Sequence, residues 1–473
     1  MALQQVRFAI QSSETESSNV SSQRAVNMYA EKQPPDSKTD VAVFNSPGVA
    51  DFAELGNGPI RGMIAPNDET LYVVSDTLLY SVDSDGDATV LGGSVDGSDP
   101  VSMDSNGEQV AIVNGTQGYI YDTSAGFRVI SDGDFHSANT TTFMDSFFIF
   151  DWAGTSKFFM SDSLDGSAYD GLNFASAEAK PDNVLAVKSY QQRLNVLGHK
   201  SIEPWSNVGA ANFPFQRIEG GLIERGIIGS RAVTTEDNSL FILGNDRIAY
   251  RITGITLQRI SAHSQESIWQ NYATVEDVLT MAHTFDGHKF IVYTFPTEAA
   301  TWIYDIASGL WHERASWDLN NTPLGRWRAN CTEEAFNKTL IGDAFSGKIG
   351  YLSHSTFTEF GNTMQAEMVS PPIHANGEWF TIPRFQIDLE AGVGTVSGQG
   401  SDPQIMLSIS RDGGHTWSDQ ELWTGMGANG AYGTRVYWDR LGGYYDCRFK
   451  VTISDPVRRT IVRAMADVQV GMT

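Results

Sequence analysis

Cysteine is nearly missing from this chain. Two occur in 473 residues, Cys331 and Cys447, far apart and without CxxC spacing. That excludes a disulfide framework and a zinc ribbon, and leaves two buried free thiols as the expectation. Long hydrophobic runs are missing too. No apolar stretch approaches the roughly 18 to 20 residues that a membrane helix needs. The N-terminal MALQQVRFAIQSSETESS has no charged segment followed by an apolar core, so it does not read as a secretory signal. These absences lead us to expect a soluble protein made in a cytoplasm. Positive charge is scarce: 32 Lys and Arg stand against 57 Asp and Glu, a net charge of −25. Such a chain repels nucleic acid at long range, which argues against a conventional DNA-binding face. The excess suits solubility, or a passage along which another polyanion slides without sticking.

Ligand motifs fail one by one. SVDSDGDATV places Asp83, Asp85 and Asp87 at calcium-like spacing, but the loop would need Gly and Glu where Ala88 and Ser94 stand. It reads as an acidic hairpin turn, as does DSLDGSAYDG at 162–171. GVGTVSGQG at 392–400 has neither phosphate-loop spacing nor a following helix, and reads as a flexible loop. No GxSxG or HExxH occurs, and His283 and His288 lie five apart across a turn rather than at ligand spacing. No cofactor, metal site or catalytic residue is expected.

What is present is turn and strand material. Glycine is abundant at 45, aromatics make up 11% and charged residues only 19%, a balance that favours an all-β protein. From about residue 60 a loose repeat runs through 71–91, 110–130, 146–162, 193–207, 239–260, 289–313 and 338–354. Each copy is an apolar strand, a polar turn and a second strand. The spacing, about 37 to 50 residues, is that of propeller blades. One four-stranded sheet cannot bury both faces alone, so blades stack about an axis. Seven hairpins, one of them possible as a closing piece, predict a β-propeller of six or seven blades over 56–364. The stretch 261–283 is the one candidate for a short helix. Before the repeat, residues 1–55 are polar and proline-punctuated, and read as an extended N-terminal arm. After it, 365–473 alternates in longer strands, a separate C-terminal β-sandwich-like region or a last set of strands laid on the propeller.

The sharpest short motif lies in that last region. Ser410, Asp412, Gly414, Thr416 and Trp417 spell an Asp-box, a hairpin turn stapled by its own side chains. The Asp accepts backbone N–H groups, Gly takes a conformation closed to other residues, and Trp packs beneath. None of this requires a substrate. A sialidase would need several such boxes, converging arginines and an acid–base pair, and a single copy outside the blades does not supply them. DPVRRTIVR holds the one basic cluster, Arg458, Arg459 and Arg463. It is a possible partner contact, although pairing with nearby carboxylates is the expected use.

RAVNMYAE followed by FNSPGV at 44–49, then SFFIFDWAGTSKFFMSD, RLNVLGHKSIEPWSNVG and ISRDGGHTWSDQELW, resemble over nearly the full length the tail nozzle or tail hub proteins of short-tailed bacteriophages. These are also described as packaged-DNA stabilisation proteins. The resemblance implies a non-enzymatic structural protein of the virion tail, made in the host cytoplasm. It implies a homo-hexamer that continues the DNA channel below the portal and a tail adaptor ring and carries tail fibres or spikes. Packaged DNA would pass through its lumen without sequence-specific binding, and the host envelope would be met only during ejection. None of the family's lumen residues maps onto a single position here. Two other readings stand beside it: a propeller that binds or depolymerises glycans, and a cytoplasmic scaffold with peptide partners.

Overall fold

The computed structural model describes every residue except 1–2, 16, 57, 211–212, 420–421 and 472–473. Seven strands, Ile60–Asn67, Ser102–Ser105, Thr141–Met144, Val184–Tyr190, Val233–Glu236, Leu279–Phe285 and Ala329–Ala335, each begin a set of four antiparallel strands; five sets are separate sheets, the sixth opens a ten-stranded sheet and the seventh a six-stranded one. Their mutual packing closes a ring, which among the described residues has seven blades. The seven hairpins read from the sequence are the second and third strands of these blades. They were legible because they are buried on both faces: Ser239–Leu243 is buried at every position, and Phe147–Asp151 at all but the first.

The turn between first and second strand carries the hidden repeat. Asp145–Ser146, Gln191–Gln192, Asp237–Asn238, Asp286–Gly287 and Phe336–Asn337 are two-residue loops with positive φ at both positions. This is the turn whose twist matches a tight hairpin.

Closure of the ring comes from the N-terminus. Ala329–Ala335, Lys338–Asp343 and Lys348–Ser353 supply three strands of the seventh blade, and Gly48–Glu54 supplies the fourth. At Gly350 a Cβ would lie 2.4 Å from Val49 Cγ1 and 2.6 Å from the Ala50 oxygen, so this seam requires glycine. Leu55, Ile60, Leu71, Leu340 and Ile349 pack the joint between the last blade and the first.

Among the described residues the extended N-terminal segment is laid along both units. Gly48–Glu54 belongs to the propeller, while Gln4–Val6, Met28–Lys32 and Val41–Asn45 lie in the C-terminal sandwich, paired with or beside Thr460–Val470. Arg24–Val26 sits between the two units. It pairs with Trp311–Glu313 of the sixth blade on one side and Ala366–Val369 of the sandwich on the other, so one ten-stranded sheet runs through both. Arg24 clamps this seam through Glu313 at 2.7 Å and Glu367 at 3.3 Å. The polar stretch around residue 20 also holds a four-residue helix, Ser18–Ser21, where extended chain was expected.

The sandwich core alternates as expected. In Phe380–Leu389, Phe380, Ile382, Phe385 and Ile387 point inward, with the register shifting around Pro383. They meet Ile405, Leu407, Phe449 and Val451 of the facing sheet. The expected short helix is His263–Asn271, which seats the fully buried Trp269 against Tyr293, Phe295, Trp302 and Trp311.

Candidate functional site

The propeller axis is a concavity lined by the inner strands of the blades. Neighbouring inner strands do not form ladders with each other, so side chains satisfy the backbone groups between them. Glu333 Oε1 accepts from Ala65 N at 3.1 Å, and Asp104 Oδ2 from Phe143 N at 2.8 Å. Ser102 Oγ accepts from Thr141 N at 3.1 Å, and Thr140 Oγ1 from Val187 N at 2.9 Å. Polar residues at these positions thus belong to blade stitching.

Two charged groups share the axial cavity of about 500 Å³. In one, Lys188 neighbours Asp104 and Glu333, and Glu334 acts on Glu333. Burial holds Asp104 above the usual carboxylate range, and burial pushes Glu333 up to about 7, with Asp104 and Glu334 adding to it. The other contains Arg61 and Arg231. Arg61 is buried and donates to the carbonyls of Asp99, Asp76, Val95 and Asp96 at 2.7 to 2.8 Å, tying down the connection between the first two blades. Arg231 precedes the fifth inner strand and donates through Nη2 to the Pro100 carbonyl, which precedes the second. A side chain therefore bridges well-separated blades and crosses the hole. Burial lowers the Arg231 pKa to about 10.

The Asp-box forms as its residue types dictate. Asp412 accepts from Ser410 Oγ at 2.8 Å, Thr416 N at 2.9 Å and Thr416 Oγ1 at 2.6 Å, while Gly414 N donates to Ser410 Oγ at 2.8 Å. Those bonds, the Thr416 hydroxyl first, hold the Asp412 carboxyl far below its ordinary range. Trp417 lies under Lys450 at 4.8 Å and Arg448 at 5.9 Å. Arg448 also bonds the Gly413 carbonyl at 3.2 Å and the Ser22 carbonyl at 2.8 Å, so the box anchors the N-terminal segment.

The basic cluster separates. Arg458 pairs with Glu390, and Arg463 with Asp388 at 2.9 Å. Arg459 is fully buried, its Nη2 on the Asp455 carbonyl at 2.8 Å, and offers no surface to a partner. Burial, which sequence could not show, removes it from that role. The acidic turn is closed by Asp83, whose Oδ1 accepts from Asp85 N and Asp87 N, both at 3.0 Å. His283 is buried against Phe290 and Trp327, and burial holds its pKa near 3; His288 bonds Asp305 at 2.9 Å. Among the described residues no group of three or more His, Cys, Asp or Glu side chains is placed to hold a metal. Cys331 and Cys447 are free, and burial pushes both thiols up to about 12.

Sequence reasoning passed over one surface. The edge strands Leu422–Gly425 and Val436–Asp439, from opposite sandwich sheets, are joined by Trp438 Nε1 donating to the Leu422 carbonyl at 3.0 Å. Alternation then turns Trp423 and Tyr437 outward, 61% and 42% exposed, and Tyr432 and Tyr445 are exposed elsewhere on the same domain. Their flags were aromatics at outward-facing positions of otherwise alternating strands.

These features define a seven-bladed β-propeller that shares a continuous sheet with a β-sandwich. The family described as bacteriophage P22 Gp10, beta-propeller, matches residues 10–357, and that described as bacteriophage P22 Gp10, beta-sandwich, matches 365–469. The chain belongs to the bacteriophage P22 Gp10 family. A curated relative, the tail hub protein gp10 of Salmonella phage P22, is 24% identical over 301 residues, covering 61% of this chain and 61% of that protein. The match thus spans less than two thirds of the relative's length. Among solved structures, the extracellular domain of the one-component system BT4673 of B. thetaiotaomicron is 8% identical with a TM-score of 0.46, over 68% of this chain and 46% of that one. PorZ of Porphyromonas gingivalis is 12% identical with a TM-score of 0.37, over 72% and 44%.

Proposed function

We propose that this chain is a structural component of a phage tail, a hub whose copies form a hexameric nozzle. The nozzle continues the DNA channel below the portal and adaptor ring, retains packaged DNA and lets it leave at ejection. It acts in the virion and catalyses no reaction. The observation that carries this reading is the family match to both units in order, propeller then sandwich, together with a curated relative named as a tail hub.

Three features of the fold support it. Arg231 crosses the propeller hole, so a duplex has no path through a single subunit. DNA would run between copies, along walls drawn from a chain of net charge −25, and like charge keeps it from sticking. The propeller closes on its own N-terminal strand and continues into the sandwich, which gives a rigid wall. Trp423 and Tyr437 supply apolar anchors for a neighbouring subunit, adaptor, fibre or spike.

The test is mass in solution by light scattering, with and without the adaptor ring. A hexamer, free or formed on the adaptor, is the expected result. A monomer indifferent to the adaptor overturns the assembly. The exposed aromatics favour one second reading, sugar stacking by a glycan-binding sandwich. A glycan array on the purified chain separates the two: saturable binding that Trp423→Ala abolishes, without loss of assembly, would assign the face to sugars.

A further inference from the structure

His288 stands where the propeller meets the sandwich. Met28–Lys32 is a sandwich strand whose residues alternate between two cores. Met28 and Ala30 point into the sandwich, while Tyr29 joins a propeller cluster with Phe290, Ile303 and Trp327. Glu31, two residues after Tyr29, keeps to the same side and comes within 3.7 Å of His288 Nε2. Across the ring, His288 Nδ1 lies 2.9 Å from Asp305 Oδ2 in the sixth blade. One imidazole therefore faces two carboxylates, one from each unit.

The ring is fixed between them. His288 is 7% exposed and Asp305 1%. Phe290 stacks on the imidazole at 5.6 Å, and Tyr29 meets it edge-on at 5.1 Å. Asp305 is itself anchored, accepting from Ala307 N at 3.0 Å and Ser308 N at 3.3 Å. The other titratable groups nearby leave the ring to these two acids. Burial keeps Tyr29 in its neutral form and holds His312, on the adjoining strand, at a pKa of about 3. Asp286 acts on Tyr29, and Arg314 on His312, only from a distance. Lys289, next in the chain, pairs instead with Glu236 and Asp237, both at 3.1 Å.

A neutral imidazole carries one N–H. With that proton on Nδ1 toward Asp305, the Nε2 lone pair faces the Glu31 carboxylate. An imidazolium carries an N–H on each side and attracts both acids. We propose that His288 is a proton-dependent latch between the propeller and the sandwich. As an imidazolium it ties Asp305 of the sixth blade to Glu31 of the sandwich sheet; as a neutral ring it lets Glu31 go. The hydrogen bond to Asp305 holds His288 above its ordinary 6.5 against the effect of burial, and Glu31 adds to it. The latch is thus closed below 6.5 and opens as pH rises through the raised value. Arg24 keeps its charge across this range, so its ion pairs with Glu313 and Glu367 still hold the seam. Release is confined to Met28–Lys32 and its hairpin partner Val41–Asn45. The latch does not depend on the hub reading.

The test is amide hydrogen exchange of the full chain at about pH 5.5 and about pH 8.5, either side of the imidazole titration, corrected for the intrinsic pH dependence of exchange. Protection of Met28–Lys32 relative to His288–Phe295 is expected to fall about two- to fivefold at the higher pH. The Glu31 side chain is 40% exposed, so Glu31→Gln should fold. It should protect the strand less than the parent at the lower pH, and no less than the parent at the higher. His288→Gln should remove the pH dependence altogether. Protection of the parent strand that is level with pH, or a deficit in Glu31→Gln that is the same at both pH values, overturns the latch. If His288→Gln fails to fold, the Glu31 variant decides.

Discussion

Phe336 sits at φ 55, a backbone conformation that bulky residues avoid. It is held there by burial against Phe52, with ring centroids 5.9 Å apart, and by its N–H bond to Asp68. Gln191 and Gln192 adopt the same turn with both side chains exposed, so nothing offsets their strain. Replacing the pair by Asn-Gly is expected to stabilise the protein by about 1 kcal/mol, read as a higher urea midpoint; an unchanged midpoint would refute the strain. Glu359 is the opposite case. It is fully buried and accepts from Arg314 Nη2, Trp327 Nε1 and Ser316 Oγ, at 2.9, 2.9 and 2.5 Å. Glu359→Gln strands the buried Arg314 charge and should cost about 3–5 kcal/mol, measured by denaturant unfolding. A loss within experimental error would mean that the guanidinium finds another acceptor.

At the scale of elements, one strand determines whether the ring closes. Gly48–Glu54 is the outermost strand of a blade whose other three strands come from nearly 300 residues later. Without it, Lys348–Ser353 becomes an open edge and the joint around Ile60 and Ile349 loses Leu55. A chain lacking residues 1–55 should therefore be cleaved by protease within the first and seventh blades while the middle blades resist. Protection equal to that of the full chain would show that the ring holds without its seam. The Arg24 strand makes a second demand on the same segment, since it joins the sixth blade to the sandwich.

For the whole molecule, pH acts through groups that prefer their protonated forms when folded. Glu333, raised by burial to about 7 from 4.5, contributes stability that is full below 4.5 and lost as pH rises through about 7. His288, held above its ordinary 6.5 by the Asp305 hydrogen bond, contributes stability that is full below 6.5 and lost as pH passes its raised value. Glu333→Gln removes the titration and keeps an oxygen for Ala65 N. Its stability relative to the parent should rise steadily from below pH 4.5 to above pH 7. A constant difference across that range would mean that Glu333 ionises freely at the axis.

The hairpins at 71–91 through 338–354 were legible because local burial on both faces writes a continuous apolar run. The sandwich strands were legible because one buried face writes alternation, and the Asp-box because its bonds lie within seven residues. The first strands of the blades were not legible: they face a polar axis, and residues such as Asp104 and Glu333 follow their cross-blade backbone partners rather than a hydrophobic period. Composition and local pattern thus determined an acidic all-β chain of propeller hairpins followed by a sandwich. Only the tertiary structure decided that the described residues form seven blades, that the N-terminal strands are shared between two units, that Arg459 is buried and that Arg231 crosses the hole. Each of those depends on which distant strands meet, and no local run of residues records that.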